Sequence, residues 1–241
     1  MGEWIKMISH EQRLVITNVF RRLGWALAIA TSWIVGLQLV GYLIELLINH
    51  RLDSFLVSLQ GIPGTLIFVF NLVLGFYFLI SAYEDFKWTI QNGISRKTLW
   101  WGRLTALLLA SCGIWIIDEL LSLFDHPITS WQSMGMHLLI LLTSVLTLQM
   151  IGNGFGLLNR TWKWIVGIGL PILFILLLML LIRAMVGLNI GYQYNTWVGP
   201  NSILLTILSS SATWWIVWAI YIIIVVALSK VFNDRMQLRR D

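Results

Sequence analysis

Six apolar stretches, each long enough to form a membrane-spanning helix, constrain this chain more than any other feature. They cover residues 24–48, 62–81, 104–123, 134–158, 164–181 and 213–231. The composition agrees with this pattern, because 58% of the residues are hydrophobic and only 11% are charged. Soluble domains carry far more charge. The sequence therefore predicts an all-α polytopic membrane protein with six transmembrane helices.

The basic residues predict the orientation of these helices. The chain has 16 Lys and Arg residues. All but Arg51 and Arg183 lie before the first stretch, between the second and third, between the fourth and fifth, or at the C-terminal end of the chain from residue 230 onwards. Basic residues near the ends of spans stay on the cytoplasmic side. Both termini and residues 82–103 are therefore expected in the cytoplasm. The net charge of +5 is dispersed over these rims, where it meets lipid headgroups. We expect no nucleic-acid partner.

The whole chain, residues 1–241, is predicted to be a single transmembrane domain. In its first 23 residues Val15, Ile16 and Val19 fall on one face of a helix, and Arg13 and Arg21 fall on the other. This pattern predicts an amphipathic helix that lies in the membrane interface before the first span. A simple membrane anchor with basic residues at the rim is the alternative interpretation.

The second gap contains a predicted helix–turn–helix, here called the elbow segment (residues 82–99). Residues 83–91 are compatible with a short helix, and Asn92-Gly93 ends it because glycine tolerates the left-handed cap conformation. Ser95 then caps a new helix that continues into the third span. Charged residues lie beside apolar ones in this segment, and such a mixed surface suits docking to another protein. The alternative is a basic loop that only sets the topology.

The residues Asn92-Gly93-Ile94-Ser95-Arg96-Lys97, preceded by Glu84 and Phe86, resemble the loop between the second and third spans of one class of permease. These permeases belong to bacterial ATP-binding-cassette exporters of the type-2 class. The resemblance implies six spans, cytoplasmic termini and a location in the bacterial cytoplasmic membrane. It also implies an N-terminal amphipathic helix (residues 1–23), which that family calls an elbow helix and which is distinct from the elbow segment. It also implies that the loop is a coupling helix seated on the ATPase. The expected docking residues are Glu84, Asp85, Phe86, Ile90, Gly93, Ile94, Ser95, Arg96 and Lys97, with Phe86 as the apolar anchor.

The expected partners follow from the same resemblance. No G-x-x-x-x-G-K-[ST] motif is present, so ATP and Mg²⁺ are expected on a separate cassette ATPase, with no cofactor or metal on this chain. A second permease chain, the same or a paralogue, and membrane lipids complete the list. The resemblance does not name a cargo: a peptide or an antibiotic is the expected one, and a lipid or an ion is the alternative. Residues 182–212 contain the turn signal Gly199-Pro200 and are expected to form an extracellular or re-entrant segment.

Two other functions are compatible with the sequence. A stand-alone secondary transporter or channel is one of them, although such proteins are expected to show more charge deep in the bundle. An intramembrane enzyme is the other, but none of the four histidines has a partner at the H-E-x-x-H spacing. We therefore expect this chain not to be an enzyme.

Polar residues inside the spans are candidates for function. Those near the predicted outer side could line a vestibule for a cationic cargo, or could form structural pairs such as Glu119 or Glu45 with Arg183; they are Glu45, Asp118, Glu119, His137 and Arg183. Asn153 and Gln149 are expected to hydrogen-bond between helices. Gly152 and Gly156 lie one turn apart and predict a close-packing groove for another helix.

Overall fold

The computed structural model describes residues 9–50, 61–123, 130–187 and 211–237, and every regular element among them is a helix. The helices are α1 (His10–Asn49), α2 (Ile62–Ile80), α3 (Ala82–Gln91), α4 (Arg96–Ser122), α5 (Trp131–Leu157), α6 (Arg160–Gly187) and α7 (Ser211–Arg235). The prediction of an all-α chain is confirmed for these residues. Most of the predicted re-entrant segment, 182–212, lies outside the described residues.

Five described helices are long and apolar enough to cross a membrane, namely α1, α2, α4, α5 and α7. Their outward surfaces carry large apolar side chains, as a lipid-facing surface requires. Trp33 and Leu47 of α1, for example, are 67% and 71% exposed. The fifth predicted stretch, 164–181, lies within α6, and its assignment as a sixth span stays a prediction.

Helix α1 differs from its prediction. Its 40 residues run from His10 to Asn49 without a break at Gly24, so it is about 60 Å long, roughly twice the thickness of a hydrocarbon core. Within residues 10–23 the apolar side chains Val15, Val19 and Leu23 are buried. A Cβ placed on Gly102 of α4 would lie 2.8 Å from Cγ1 of Val15. Residues 10–23 therefore continue the first span and pack on α4, and the expected separate interfacial helix, residues 1–23, is wrong for them.

The elbow segment folds as the local sequence predicts. Helix α3 ends at Gln91, and Gly93 has the left-handed φ of +70°. The amide of Ile94 donates to the carbonyl of Thr89 and the amide of Gly93 donates to that of Ile90, which is the Schellman pattern of helix termination. The side chain of Ser95 then accepts from the amide of Thr98 at 3.1 Å and starts α4. Two capping motifs thus fix the angle between α3 and α4.

The described helices belong to two compact units. One unit contains the chain up to Gly156 together with the residues from Leu228 onwards, and the other contains Leu157–Ala227. The elbow segment, helices α1 to α5 and the last turns of α7 belong to the first unit. Helix α6 and most of α7 belong to the second, where apolar side chains such as Leu173 and Leu180 are exposed.

We expect Gly93→Ala to lower the free energy of unfolding by roughly 1–2 kcal/mol, because an L-residue is strained in the left-handed region. Gly135 is the matched control, since it lies in α5, has no positive φ and has open space around its Cα. Gly135→Ala should raise stability by up to about 1 kcal/mol. Unfolding of both variants in detergent micelles measures the difference. Equal shifts for the two variants would contradict the role assigned to Gly93.

Candidate functional site

A buried ion-pair cluster connects the elbow segment to two long helices. Asp85 of α3 is 1% exposed. Its Oδ1 accepts a hydrogen bond from Nη1 of Arg22 on α1 at 3.2 Å, and its Oδ2 lies 3.4 Å from Nε of Arg103 on α4. Burial raises the pKa of the Asp85 carboxyl, and the guanidinium groups of Arg103 and Arg22 act in the opposite direction. The carboxylate therefore depends on the two arginines to stay ionised.

Arg103 is the centre of this cluster. Its side chain is 1% exposed. Besides Asp85, its Nη2 lies 3.4 Å from both the carbonyl oxygen of Phe78 and the hydroxyl of Ser81, and its Nη1 donates to Oδ1 of Asn153 at 3.3 Å. A buried guanidinium requires such partners, because an unpaired buried charge is strongly destabilising. One side chain thus joins the end of α2, the elbow segment, α4 and α5.

Asn153 extends the same network to the end of the chain. Its Nδ2 donates to the backbone oxygen and to the hydroxyl of Ser229 on α7, at 3.1 and 3.0 Å. The prediction that Asn153 hydrogen-bonds between helices is therefore confirmed.

The two glycines beside Asn153 allow this approach. A Cβ on Gly152 would clash with the backbone of α2 at Leu79 and at Phe78, 2.8 Å from the Phe78 oxygen. A Cβ on Gly156 would lie 3.1 Å from the side chain of Met236. Both glycines are buried. The contacts are of the kind that a close-packing groove predicts, and they bring α5 against α2 and against Met236.

A second set of contacts ties Arg96 to residues at the end of α7. Nη1 of Arg96 donates to the backbone oxygen of Asp234 at 2.8 Å, and Nδ2 of Asn233 donates to the backbone oxygen of Arg96 at 3.1 Å. The guanidinium carbon of Arg96 also lies 5.6 Å from the centre of the Phe86 ring, within the range of a cation–π contact. Arg96 is therefore engaged inside this chain.

The structure divides the nine predicted docking residues into two groups. Asp85, Phe86 and Ile94 are buried, at 1%, 0% and 4% exposure, so the expectation that they contact a partner is wrong. Phe86 instead anchors the elbow segment to the rest of this chain, because its ring is buried against the guanidinium of Arg96. The exposed or half-exposed members are Glu84, Ile90, Gly93, Ser95, Arg96 and Lys97.

Four residues that the sequence analysis did not select join the exposed group on the elbow segment. These are Lys87, Trp88, Gln91 and Asn92, of which Trp88 is half-buried and the others are exposed. Together with Glu84, Ile90, Gly93, Ser95 and Lys97 they form the elbow surface. This surface is mainly polar, carries both signs of charge and offers one aromatic ring.

The predicted vestibule residues are brought together only in part. Nδ1 of His137 on α5 lies 3.0 Å from Oε1 of Glu119 on α4, so Glu119 has a partner within the first unit. The suggested pair of Glu119 or Glu45 with Arg183 stays a prediction. Asp118 is 1% exposed and accepts from Nδ2 of Asn71 on α2 at 2.7 Å. Glu45 is exposed on α1, and Arg183 is exposed in the other unit.

Arg103 and Arg22 are the site residues that sequence reasoning missed. Both were counted only as topology signals. One clue was available for Arg103, because it lies seven residues after Arg96 and hence on nearly the same face of a helix. That face of α4 also carries Leu99 and Ala106, which are buried. No local pattern shows that the partner of Arg22 lies 63 residues away.

Comparisons with models of protein families, with curated proteins and with solved structures found no match for this chain. Among the described residues, no group of three or more His, Cys, Asp or Glu side chains is placed to hold a metal ion. The interpretation of the site therefore depends on its geometry.

We expect Arg103→Met to lower the free energy of unfolding by roughly 3–5 kcal/mol, because it leaves Asp85 buried with one arginine partner. Adding Asp85→Asn should restore part of this loss, since the double variant no longer contains the buried carboxylate. The coupling energy between the two positions should be at least about 0.5 kcal/mol. Lys97→Met, at an exposed position of the same helix, is the control and should have little effect. Strictly additive losses in unfolding measurements would show that the two groups are not coupled.

Proposed function

We propose that this chain is the membrane-spanning subunit of an ATP-driven exporter, and that it receives the force of a separate cassette ATPase through its elbow segment. The observation that carries the proposal is the attachment of α3 at several points. Asp85 ties this short helix to Arg22 of α1 and Arg103 of α4, and the Phe86 ring lies 5.6 Å from the guanidinium of Arg96, which binds the end of α7. A displacement of α3 would therefore move several long helices together, which is what a coupling element must do.

The elbow surface supports the same proposal. Its exposed Glu84, Lys87 and Lys97 offer charges for oriented contacts, and Trp88 offers the aromatic group that is typical of energetic centres in interfaces. The rigid caps at Gly93 and Ser95 hold these groups in one arrangement, so that little ordering is needed on binding. The corrected docking surface is therefore centred on Trp88 and Lys87, with Phe86 supporting it from behind.

The remaining parts of the proposal follow from the resemblance and the sequence pattern. Helix α6 is the additional span, which gives six, and both termini and the elbow segment face the bacterial cytoplasm. Two such chains, identical or paralogous, enclose the path of a peptide or antibiotic cargo. ATP and Mg²⁺ bind to the ATPase subunits and this chain performs no chemical step.

A stand-alone transporter is the second candidate, and one observation favours it. Asp118 is a buried carboxyl group inside a candidate span, and such groups commonly belong to ion or proton pathways. The two candidates differ in their need for a partner, because only the exporter subunit loses activity when the ATPase is absent.

We expect Trp88→Ala to reduce recovery of a partner cassette ATPase, sought among the genes next to the one for this chain, when the two are co-expressed and purified in detergent. Loss of a central aromatic anchor costs about 2 kcal/mol, or roughly thirtyfold in affinity. Trp131→Ala is the matched control, because Trp131 is 87% exposed at the start of α5, the end of that helix away from the elbow segment. Unchanged recovery with Trp88→Ala combined with Lys87→Glu would contradict the docking surface and favour the stand-alone transporter.

The orientation can be tested by labelling single cysteines in a Cys112→Ser background, because Cys112 is the one native cysteine. A cysteine at Asn92, exposed on the elbow segment, should react with a membrane-impermeant maleimide only after the cells are permeabilised. A cysteine at Gln132, exposed near the start of α5, should react in intact cells. The reverse pattern would invert the topology and remove the elbow segment from the reach of a cytoplasmic ATPase.

A further inference from the structure

Asp118 is a buried carboxyl group that has no role in the proposed function. It lies on α4, 15 residues after Arg103 and so about 22 Å further along the helix. The residue is 1% exposed. Oδ2 accepts from Nδ2 of Asn71, whereas Oδ1 is buried and has no hydrogen-bond partner among the described residues. An ionised carboxylate in this position would have one of its oxygens buried without compensation.

Among the described residues, the groups that act on the Asp118 carboxyl include no lysine or arginine. From α2 it meets the neutral amide of Asn71, whose Nδ2 also donates to the carbonyl of Ile67 at 2.8 Å. From α5 His137 exerts its charge on Asp118 when it is protonated, and Glu119 on the same helix adds a charge of the same sign as a carboxylate. Glu45 of α1 is exposed on the surface of that helix. The ionisable group next to Asp118 in the chain is therefore another acid, Glu119.

A buried acid escapes this situation most cheaply by binding a proton, since the neutral form avoids the cost of taking a charge out of water. We infer that Asp118 is a proton-binding site, with the proton on Oδ1 and Asn71 holding Oδ2. Uptake consumes one proton from solution and forms the Oδ1–H bond, with no other reactant. The neighbouring Glu119–His137 pair, at 15% and 41% side-chain exposure, connects this position with the surface at the end of the bundle away from the elbow segment.

Protonation has a structural consequence for the helices in contact at Asp118. The neutral carboxyl group allows α2 and α4 to stay closely packed through the Asn71 contact. Loss of the proton would require water or a cation to enter between these helices, or the helices to separate. Asp118 thus links the packing of one end of the bundle to proton binding. This inference does not depend on docking of an ATPase, because it uses none of the residues of the elbow surface.

Infrared spectroscopy of the full-length protein tests the inference directly. The wild-type protein at neutral pH should show the C=O stretch of a protonated carboxylic acid, shifted downward in D₂O. Asp118→Asn keeps the shape of the side chain and should abolish this band. Asp234→Asn removes an exposed carboxylate and should leave the band unchanged. Absence of the band in the wild-type protein at neutral pH overturns the inference without reference to any variant.

Two further outcomes would also overturn it. Asp85 is the other buried carboxyl group in the described part of the first unit, so loss of the band in Asp85→Asn, with retention in Asp118→Asn, would assign the proton to the elbow cluster. Loss of the wild-type band on addition of sodium chloride, but not of choline chloride, would show that the site takes a metal cation. A band unaffected by both salts and lost only in Asp118→Asn is the expected result. An Asp118→Asn protein that retains its helical circular dichroism completes the assignment.

Discussion

The burial of one guanidinium group determines how the first unit of this protein is assembled. Arg103 is removed from water. Its Nη1 and Nη2 reach hydrogen-bonding groups of α2 and α5 and the Ser81 hydroxyl, and its Nε lies 3.4 Å from the Asp85 carboxylate. A charge buried in this way tolerates few arrangements, because any helix that withdraws leaves a donor unpaired. The positions of α2, α3 and α5 around α4 are therefore set by a polar constraint. The apolar surfaces, which lipid solvates as well as protein does, could not define them as sharply.

The elbow segment depends on this constraint. By itself α3 is a helix of 10 residues, too short to be stable in water. It is held because Asp85 forms ion pairs with Arg22 and Arg103, and because the buried ring of Phe86 lies against the guanidinium of Arg96. The exposed side chains of α3 take no part in these contacts, and their charges and aromatic ring are available to a partner.

The parts of the structure that sequence predicts well are those set by neighbouring residues. The Asn92-Gly93 stop and the Ser95 cap are local, so their residue types determine the backbone conformation. The stripe Val15, Val19 was correctly assigned to one face of a helix, but periodicity defines a face without saying what covers it. In the structure, Val15 packs against α4 at Gly102. The burial of Asp85 could not be predicted either, because Glu84 and Asp85 are adjacent acidic residues and nothing in the local sequence says which of them faces inward. Only the distant Arg22 and Arg103 distinguish them.

Because α1 is one continuous helix, its two ends are expected to move together. Arg22, the point at which α1 is tied to the elbow segment, lies 27 residues before Asn49, and so about 40 Å from the far end of the helix. Sharp kinks in long helices occur at proline, at glycine–serine pairs or where the hydrogen-bond ladder is interrupted, and the 40 residues of α1 form one helix that contains no proline. A small tilt imposed at Arg22 would therefore appear as a larger lateral displacement of the Asn49 end of the helix.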